Sequence, residues 1–414
     1  MENTKKKLHY GYVIIIALCL ITVSAVTMVC TATGIFYTPL AEEFHISTGA
    51  VAIYVSCMFL TSTITLLFAG QIFDRVNAKI IMVVGCTLTG VCTLAMSFYT
   101  AMWQFYATGC VMGVSVAFTY YVAAPVLVNR WFKAKAGLFI GVTSCFTGVG
   151  GAIFNSLGGY IIERYGWRQT YLVFGILTLI ISVPSALLIV DRPEKIGLRR
   201  YGDKETADNA NTPSVITGVS YKNAIRNPVF YVCGIFTFIV AFIATMQPYL
   251  PTICKQMGAT TTIAANVSSV CLIGSVIAKL SLGRVNDKSV KLGMAVCLTC
   301  GIVSTLILAL FAKSGWTVVF VCAFIFGFAY AATAVQCPVM VREAFGSKDY
   351  AKIWGNVSLF SSGASCVASA IWGFIIEGWG TTNGFFFCGA MCVVSLVMGF
   401  GVINSGAKIR REKV

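Results

Sequence analysis

Lys279 stands in the stretch IGSVIAKLSLGRVNDK (Ile273 to Lys288), inside an apolar run that begins near Ile263. A charge so placed costs about 3 kcal/mol even on lenient membrane-insertion scales. Its chemistry is a positive charge with three hydrogen-bond donors and no acceptor. Two readings of the position are open. The stem could snorkel to water at the helix end, about one turn away, or the ammonium could face a polar cavity. Ser275 and Ser268 lie 4 and 11 residues before it, within roughly 40° on a helix, and Ala265 continues the line. That small, polar face suits a water-filled cavity better than lipid. A second set of hydroxyls, Ser358, Ser362, Ser365 and Ser369, falls at spacings of 4, 3 and 4, with Ser361 beside it. Such a stripe can wall a polar site, satisfy its own helix's carbonyls or permit close packing. Ser24, Thr27 and Thr31 share one face near the N-terminus in the same way.

These residues must be positioned within a membrane. Hydrophobic residues make up 57% of the 414 and charged residues 11%, against roughly 25% charged in soluble domains. Apolar runs long enough to cross a roughly 30 Å hydrocarbon core recur along the chain. Twelve are read, near 10–33, 48–70, 80–99, 103–128, 137–161, 170–190, 229–253, 262–283, 292–312, 316–341, 353–376 and 381–404. The first is too long for a signal-peptide core and is expected to remain as a span. The expected fold is therefore an all-α membrane protein with twelve transmembrane helices in two six-helix halves, 1–190 and 229–414, joined by a cytoplasmic linker, 191–228.

Charge supports that threading. With the N-terminus inside, 25 of the 30 Lys and Arg fall on one side, Arg164, Arg168, Lys255 and Lys313 on the other, and Lys279 is left over. The positive-inside rule then places both termini in the cytoplasm of a multi-pass plasma (inner) membrane protein. The +15 net charge follows from topology and anionic lipid headgroups, with no call for nucleic acid. The 17 cysteines, nearly all within predicted spans, read as small apolar residues. The pairs Gly109/Gly113 and Gly137/Gly141 read as close helix contacts.

The halves echo each other. GQIFDR (Gly70 to Arg75) returns as GRVNDK (Gly283 to Lys288) after 213 residues, and GYIIERYG (Gly159 to Gly166) as GFIIEGWG (Gly373 to Gly380) after 214. Two separate segments with nearly one offset indicate an internal duplication, the arrangement of parallel-repeat transporters.

Gly70, Asp74, Arg75 and Lys79 match the G-x-x-x-D-R-x-G-R-K loop of the major facilitator superfamily, with Asn77 and Ala78 departing from it. GIFYTPLAEEF (Gly34 to Phe44), NRWFKAKAGLFIG (Asn129 to Gly141), YGWR (Tyr165 to Arg168) and DRPEKIGL (Asp191 to Leu198) narrow the resemblance. Together they look like the oxalate/formate antiporter and monocarboxylate transporter branch, over essentially the whole chain. The resemblance implies that Gly70, Asp74 and Arg75, with their second-half counterparts Asp287 and Lys288, take part in gating at helix ends. It also implies that Lys279 stands where the branch carries an arginine for the substrate carboxylate. Lysine keeps that charge and loses the bidentate fork. Tyr121 and Tyr330 fall where relatives place aromatic residues around the substrate, and Ser361 aligns with the second cation of oxalate-type relatives.

Absences narrow the function further. All 15 acidic residues fall in loops, tails or helix ends, so no intramembrane carboxylate is at hand to relay protons or attract a cationic drug. TGVGGAIF in the fifth span lacks the Gly-Pro pair typical of drug/proton antiporters in the superfamily. No GxxxxGK[ST] loop is present, and His9 and His45 have no metal-ligand company. The resulting expectation is a monomeric secondary carrier of small organic anions, monocarboxylates foremost, that works by alternating access without cofactor or metal. Its partners would be the small carboxylate and membrane lipid. A multidrug or metabolite exporter of the same superfamily and a transporter-like sensor are the alternatives.

Overall fold

The computed structural model describes residues 9–133, 135–202, 218–346 and 348–411, apart from the side chains of Asp74, Ala351 and 407–411. Among the described residues, twelve membrane-length helical segments follow one another: α1 (Gly11–Phe44), α2 (Thr48–Arg75), α3 (Ala78–Ala95), α4 (Met102–Trp131), α5 and α6 within the run Ala136–Leu187, α7 (Pro228–Gln256), α8 (Thr261–Lys288), α9 (Val290–Phe311), α10 (Trp316–Phe345), α11 (Tyr350–Gly378) and α12 (Thr381–Arg411). Local chemistry sets many of the starts. Ser47, Asn77, Asn227, Thr260 and Ser289 each accept a backbone N–H from the first turn of the helix that follows, which satisfies donors that a helix start leaves over.

The fifth and sixth crossings differ from the expected helix–loop–helix. Their 52 residues would span about 78 Å as one straight helix, more than twice the hydrocarbon core. The chain turns at Gly166, whose φ of 83° and ψ of 170° are open only to glycine. A single residue replaces a loop, because Trp167 and Arg168 resume the helix at once and bond back to Glu43.

Two crossings are interrupted near mid-depth. α1 contains a turn at 31–33 and α7 a break at 245–249 around Pro248. Thr31 and Thr245, 214 apart, sit at the corresponding points. Just beyond them Thr38 Oγ1 donates to Thr252 Oγ1 at 3.4 Å, and Gly34 packs so tightly on the Pro248 carbonyl that a Cβ has no room. Both pairs are again 214 apart. Residues touching their own repeat equivalents mark the pseudo-two-fold axis between the halves.

Core packing shows which end is shut. One apolar core runs across both halves, from Phe36, Tyr54 and Phe105 to Tyr249, Phe326 and Trp372. At the other end, the end of the basic loops, each half keeps its own core, around Trp131 and Phe132 in the first and Phe230 and Phe345 in the second. The halves are thus fused at the face opposite the basic loops and parted at the basic face.

Glycine contacts divide unexpectedly. Gly109 and Gly113 lie against the Tyr54 and Met58 carbonyls, the close approach expected of them, but Gly137 and Gly141 face open space. Gly109→Ala should therefore cost about 2 kcal/mol through overpacking against an immovable backbone atom, while Gly137→Ala should be neutral within about 0.5 kcal/mol. Thermal unfolding of the two purified variants checks the contrast.

Candidate functional site

A cavity of about 650 Å³ lies between the halves and is walled by both. Thr31 of α1, Tyr121 of α4, Lys279 of α8, Tyr330 of α10, and Ser361 and Ser362 of α11 all line it, with Ser358, Ser365 and Ser369. The interrupted helices turn Thr31 and Thr245 toward it, and a π-helical stretch of α4, Ala117–Val122, carries Tyr120 and Tyr121 with rings 4.8 Å apart. Such wide turns recur at functional sites.

Lys279 is the one charged side chain on the cavity wall among the described residues. Its ammonium stays at depth instead of snorkelling to the basic face. Nζ donates to the Ser144 carbonyl and to Thr147 Oγ1, both at 3.1 Å, and Thr147 itself donates to the Ser144 carbonyl at 2.8 Å. Both partners belong to α5, so a second-half cation is seated on the first half. Both are neutral, so the charge is solvated but not cancelled. Two of the three N–H donors are used, leaving one for a ligand.

The reason expected for this placement needs correction. Ala265, Ser268 and Ser275 do not wall the cavity; they are buried. Ala265 leaves no room for a Cβ on Gly159, Ser275 abuts Gly148, and Ser268 accepts from Gln247 Nε2 at 2.6 Å. The small face of α8 is a close-packing surface against α5 and α7, and Lys279, at its edge, reaches the opening. Ser24 and Thr27 are likewise buried and donate to their own helix's carbonyls.

The serines of α11 fall into two kinds. Ser358, Ser365 and Ser369 spend their O–H on carbonyls of their own helix, at 2.8, 3.1 and 2.7 Å. Ser361 and Ser362 make no such bond among the described residues and keep a donor for the cavity. Ser144 and Thr147 went unmarked in the sequence, where nothing local distinguishes them from other helix hydroxyls; only the pairing of α5 with α8 brings them to Lys279.

The gating candidates lie apart from this site, at the basic face. Arg75, Asp287 and Lys288 are exposed without an ion pair among the described residues, and Gly70 faces open space. The Asp74 side chain lies outside the described residues. Arg130 is held by Asp191 and by the Phe73 carbonyl at 3.3 Å, and Asp191 also accepts from Lys195 at 3.2 Å. Neither Arg130 nor Arg284 lines the cavity. A cluster of three or more metal-ligating side chains is absent among the described residues.

Two six-helix bundles related by a repeat axis, with a cavity at their interface, have the architecture of two-half membrane transporters. The chain belongs to the Major Facilitator Superfamily, whose family profile it matches over residues 17–268 and 248–412. Among sequence relatives, it is 26% identical over 153 residues to the membrane sensor protein UhpC of Salmonella typhimurium, covering 37% of this chain and 35% of that protein. It is 30% identical over 170 residues to monocarboxylate transporter 14 of Mus musculus, covering 40% of this chain and 32% of that one. The chain thus spans about a third of the length of these curated relatives. Among solved structures, a bacterial homologue of the human lysosomal transporter Spinster, described as inward-facing and unoccupied, superposes with a TM-score of 0.72 at 14% identity. That likeness covers 98% of this chain and 99% of that one and is a likeness of fold.

Proposed function

We propose that the protein is a secondary carrier of small organic anions, monocarboxylates foremost, that works by alternating access. The observation that carries this reading is Lys279, an uncompensated ammonium at depth in a cavity shared by both halves. A cation held only by neutral acceptors gains most from an anionic ligand. The similarity to a protein named monocarboxylate transporter 14 supports the same class. In this reading the basic face and both termini are cytoplasmic, the membrane is the plasma (inner) membrane, and the state described above, parted at the basic face, is inward-open. Asp74, Arg75, Asp287 and Lys288 would then pair with neighbouring helix ends when the basic face closes. One chain suffices, since one chain builds the whole cavity. With no carboxylate on the cavity wall among the described residues, transport proceeds by anion exchange or by proton entry with the substrate itself.

The similarity to a membrane sensor supplies a second reading, a receptor with carrier architecture and no net flux. Uptake of labelled lactate or formate into proteoliposomes separates the two. Turnover removes the sensor, whereas saturable binding without uptake or counterflow of any carboxylate removes the carrier.

The two kinds of serine make a separate prediction. Ser361→Ala and Ser362→Ala each remove a donor available to the ligand and should weaken apparent affinity roughly 3- to 10-fold, the worth of about one hydrogen bond. Ser365→Ala removes an O–H already committed to the Ser361 carbonyl and should change affinity less than about twofold. Concentration dependence of uptake for the three variants tests this.

A further inference from the structure

At the closed face, each half sends one carboxylate to the start of a helix in the other. Glu377, at the end of α11, accepts the Thr48 backbone N–H at 2.6 Å and Thr48 Oγ1 at 2.8 Å. Glu163, at the end of the α5 segment, accepts the Thr262 backbone N–H at 2.7 Å. Thr48 is the first residue of α2 and Thr262 the second of α8. The local caps, Ser47 and Thr260, serve the N–H groups of Ala50 and Ile263, so the glutamates take donors that the caps leave over. Each carboxylate also sits at the positive end of a helix, which favours its charge. The two glutamates are 214 residues apart and the two caps 213. One contact has been built twice by the duplication, once on each seam between the halves.

Close packing brings the same seams together. Gly373 meets Gly49 beside the Glu377 contact, and Gly159 meets Ala265 beside the Glu163 contact, neither with room for a Cβ. Glu43 offers a contrast on the same face. It accepts Trp167 Nε1 at 2.6 Å and pairs with Arg168, all within the first half, so it has no part in joining the halves.

We propose that Glu163 and Glu377 form a paired latch that holds this face closed, and that opening toward it requires both carboxylates to leave their helix ends together. The latch is independent of which substrate the cavity takes. Its test is hydrogen–deuterium exchange on the full-length protein in lipid nanodiscs, without ligand, for Glu163→Gln, Glu377→Gln, the double variant and Glu43→Gln. Glutamine keeps an acceptor oxygen and removes the charge. Each single latch variant should speed exchange roughly 2- to 5-fold and the double variant roughly 10-fold or more, the range expected for carboxylates at helix starts. The discriminating site is the opposite seam: Glu377→Gln should speed exchange at 261–264 and Glu163→Gln at 48–51, because the halves part as bodies. Unchanged exchange, a rise confined to the helix whose partner was altered, or an equal rise at both seams in Glu43→Gln would overturn the latch. Should the double variant fail to fold, the single variants carry the same distinction.

Discussion

Lys279→Gln is expected to abolish measurable transport while the protein remains folded in the membrane. Glutamine is one bond shorter and neutral, and the close packing of Gly148, Gly151 and Gly159 on α8 does not involve residue 279, so the α5–α8 contact survives, but the charge proposed to recognise the substrate is gone. Truncating one partner of a desolvated charge pair costs about 2–5 kcal/mol, so a loss of at least roughly a hundredfold in transport efficiency is predicted. Lys279→Arg should retain partial activity, because the charge stays while the larger planar fork must find room against α5. Uptake in proteoliposomes, normalised to folded protein, gives the measurement. Equal uptake by the glutamine variant would make the lysine an element of helix packing with no role in recognition.

Charge selectivity is the second large effect. One ammonium can neutralise one carboxylate. A dianion brings a second charge into the cavity, where Ser361 and Ser362 offer hydroxyl dipoles and Ser358, Ser365 and Ser369 already donate hydrogen bonds to carbonyls of their own helix. Hydroxyls alone seldom offset the several kcal/mol needed to desolvate an ion when the cavity closes. Monocarboxylates are therefore expected to compete at least about tenfold better than oxalate, a difference near 1.4 kcal/mol. Formate, lactate, oxalate and a longer or aromatic monocarboxylate, each at equal concentration against one labelled substrate, make the comparison. Oxalate as the strongest competitor would require a second basic group in the closed state, with Arg284 or Arg130 the nearest candidates in the sequence; Arg130 would first have to leave Asp191.

Much of this architecture could be read from the chain because the membrane imposes strong rules. Length and hydropathy set the crossings, lysine and arginine counts set the expected orientation, and the 213–214 offset exposed the duplication. Lys279 was conspicuous for the same reason: a charge within an apolar run stands out. What remained hidden were facts of pairing. The row Ala265, Ser268 and Ser275 has the composition of a water-lined face and of a close helix contact alike, and only the neighbours decide; here α5 and α7 lie against it. Ser144 and Thr147 matter because α5 crosses α8, a consequence of the repeat axis with no local signal. The turn at 31–33 in α1 carries no proline, whereas its counterpart in α7 is announced by Pro248 and Pro251. Glu163 and Glu377 lay in plain view inside the repeated segments, but their reach into the opposite half depends on where the other helices begin.

If Lys279 anchors a single carboxylate, ligand-dependent thermal stabilisation of purified protein reveals it without transport or coupling entering. Formate, lactate and an aromatic monocarboxylate would be titrated into wild type, Lys279→Gln and Lys279→Arg. The prediction is a saturable rise in the unfolding midpoint of wild type with at least one monocarboxylate, a smaller rise for the arginine variant, and none for the glutamine variant at the same concentrations. An equal rise in wild type and Lys279→Gln would contradict it, since the carboxylate would then be held elsewhere.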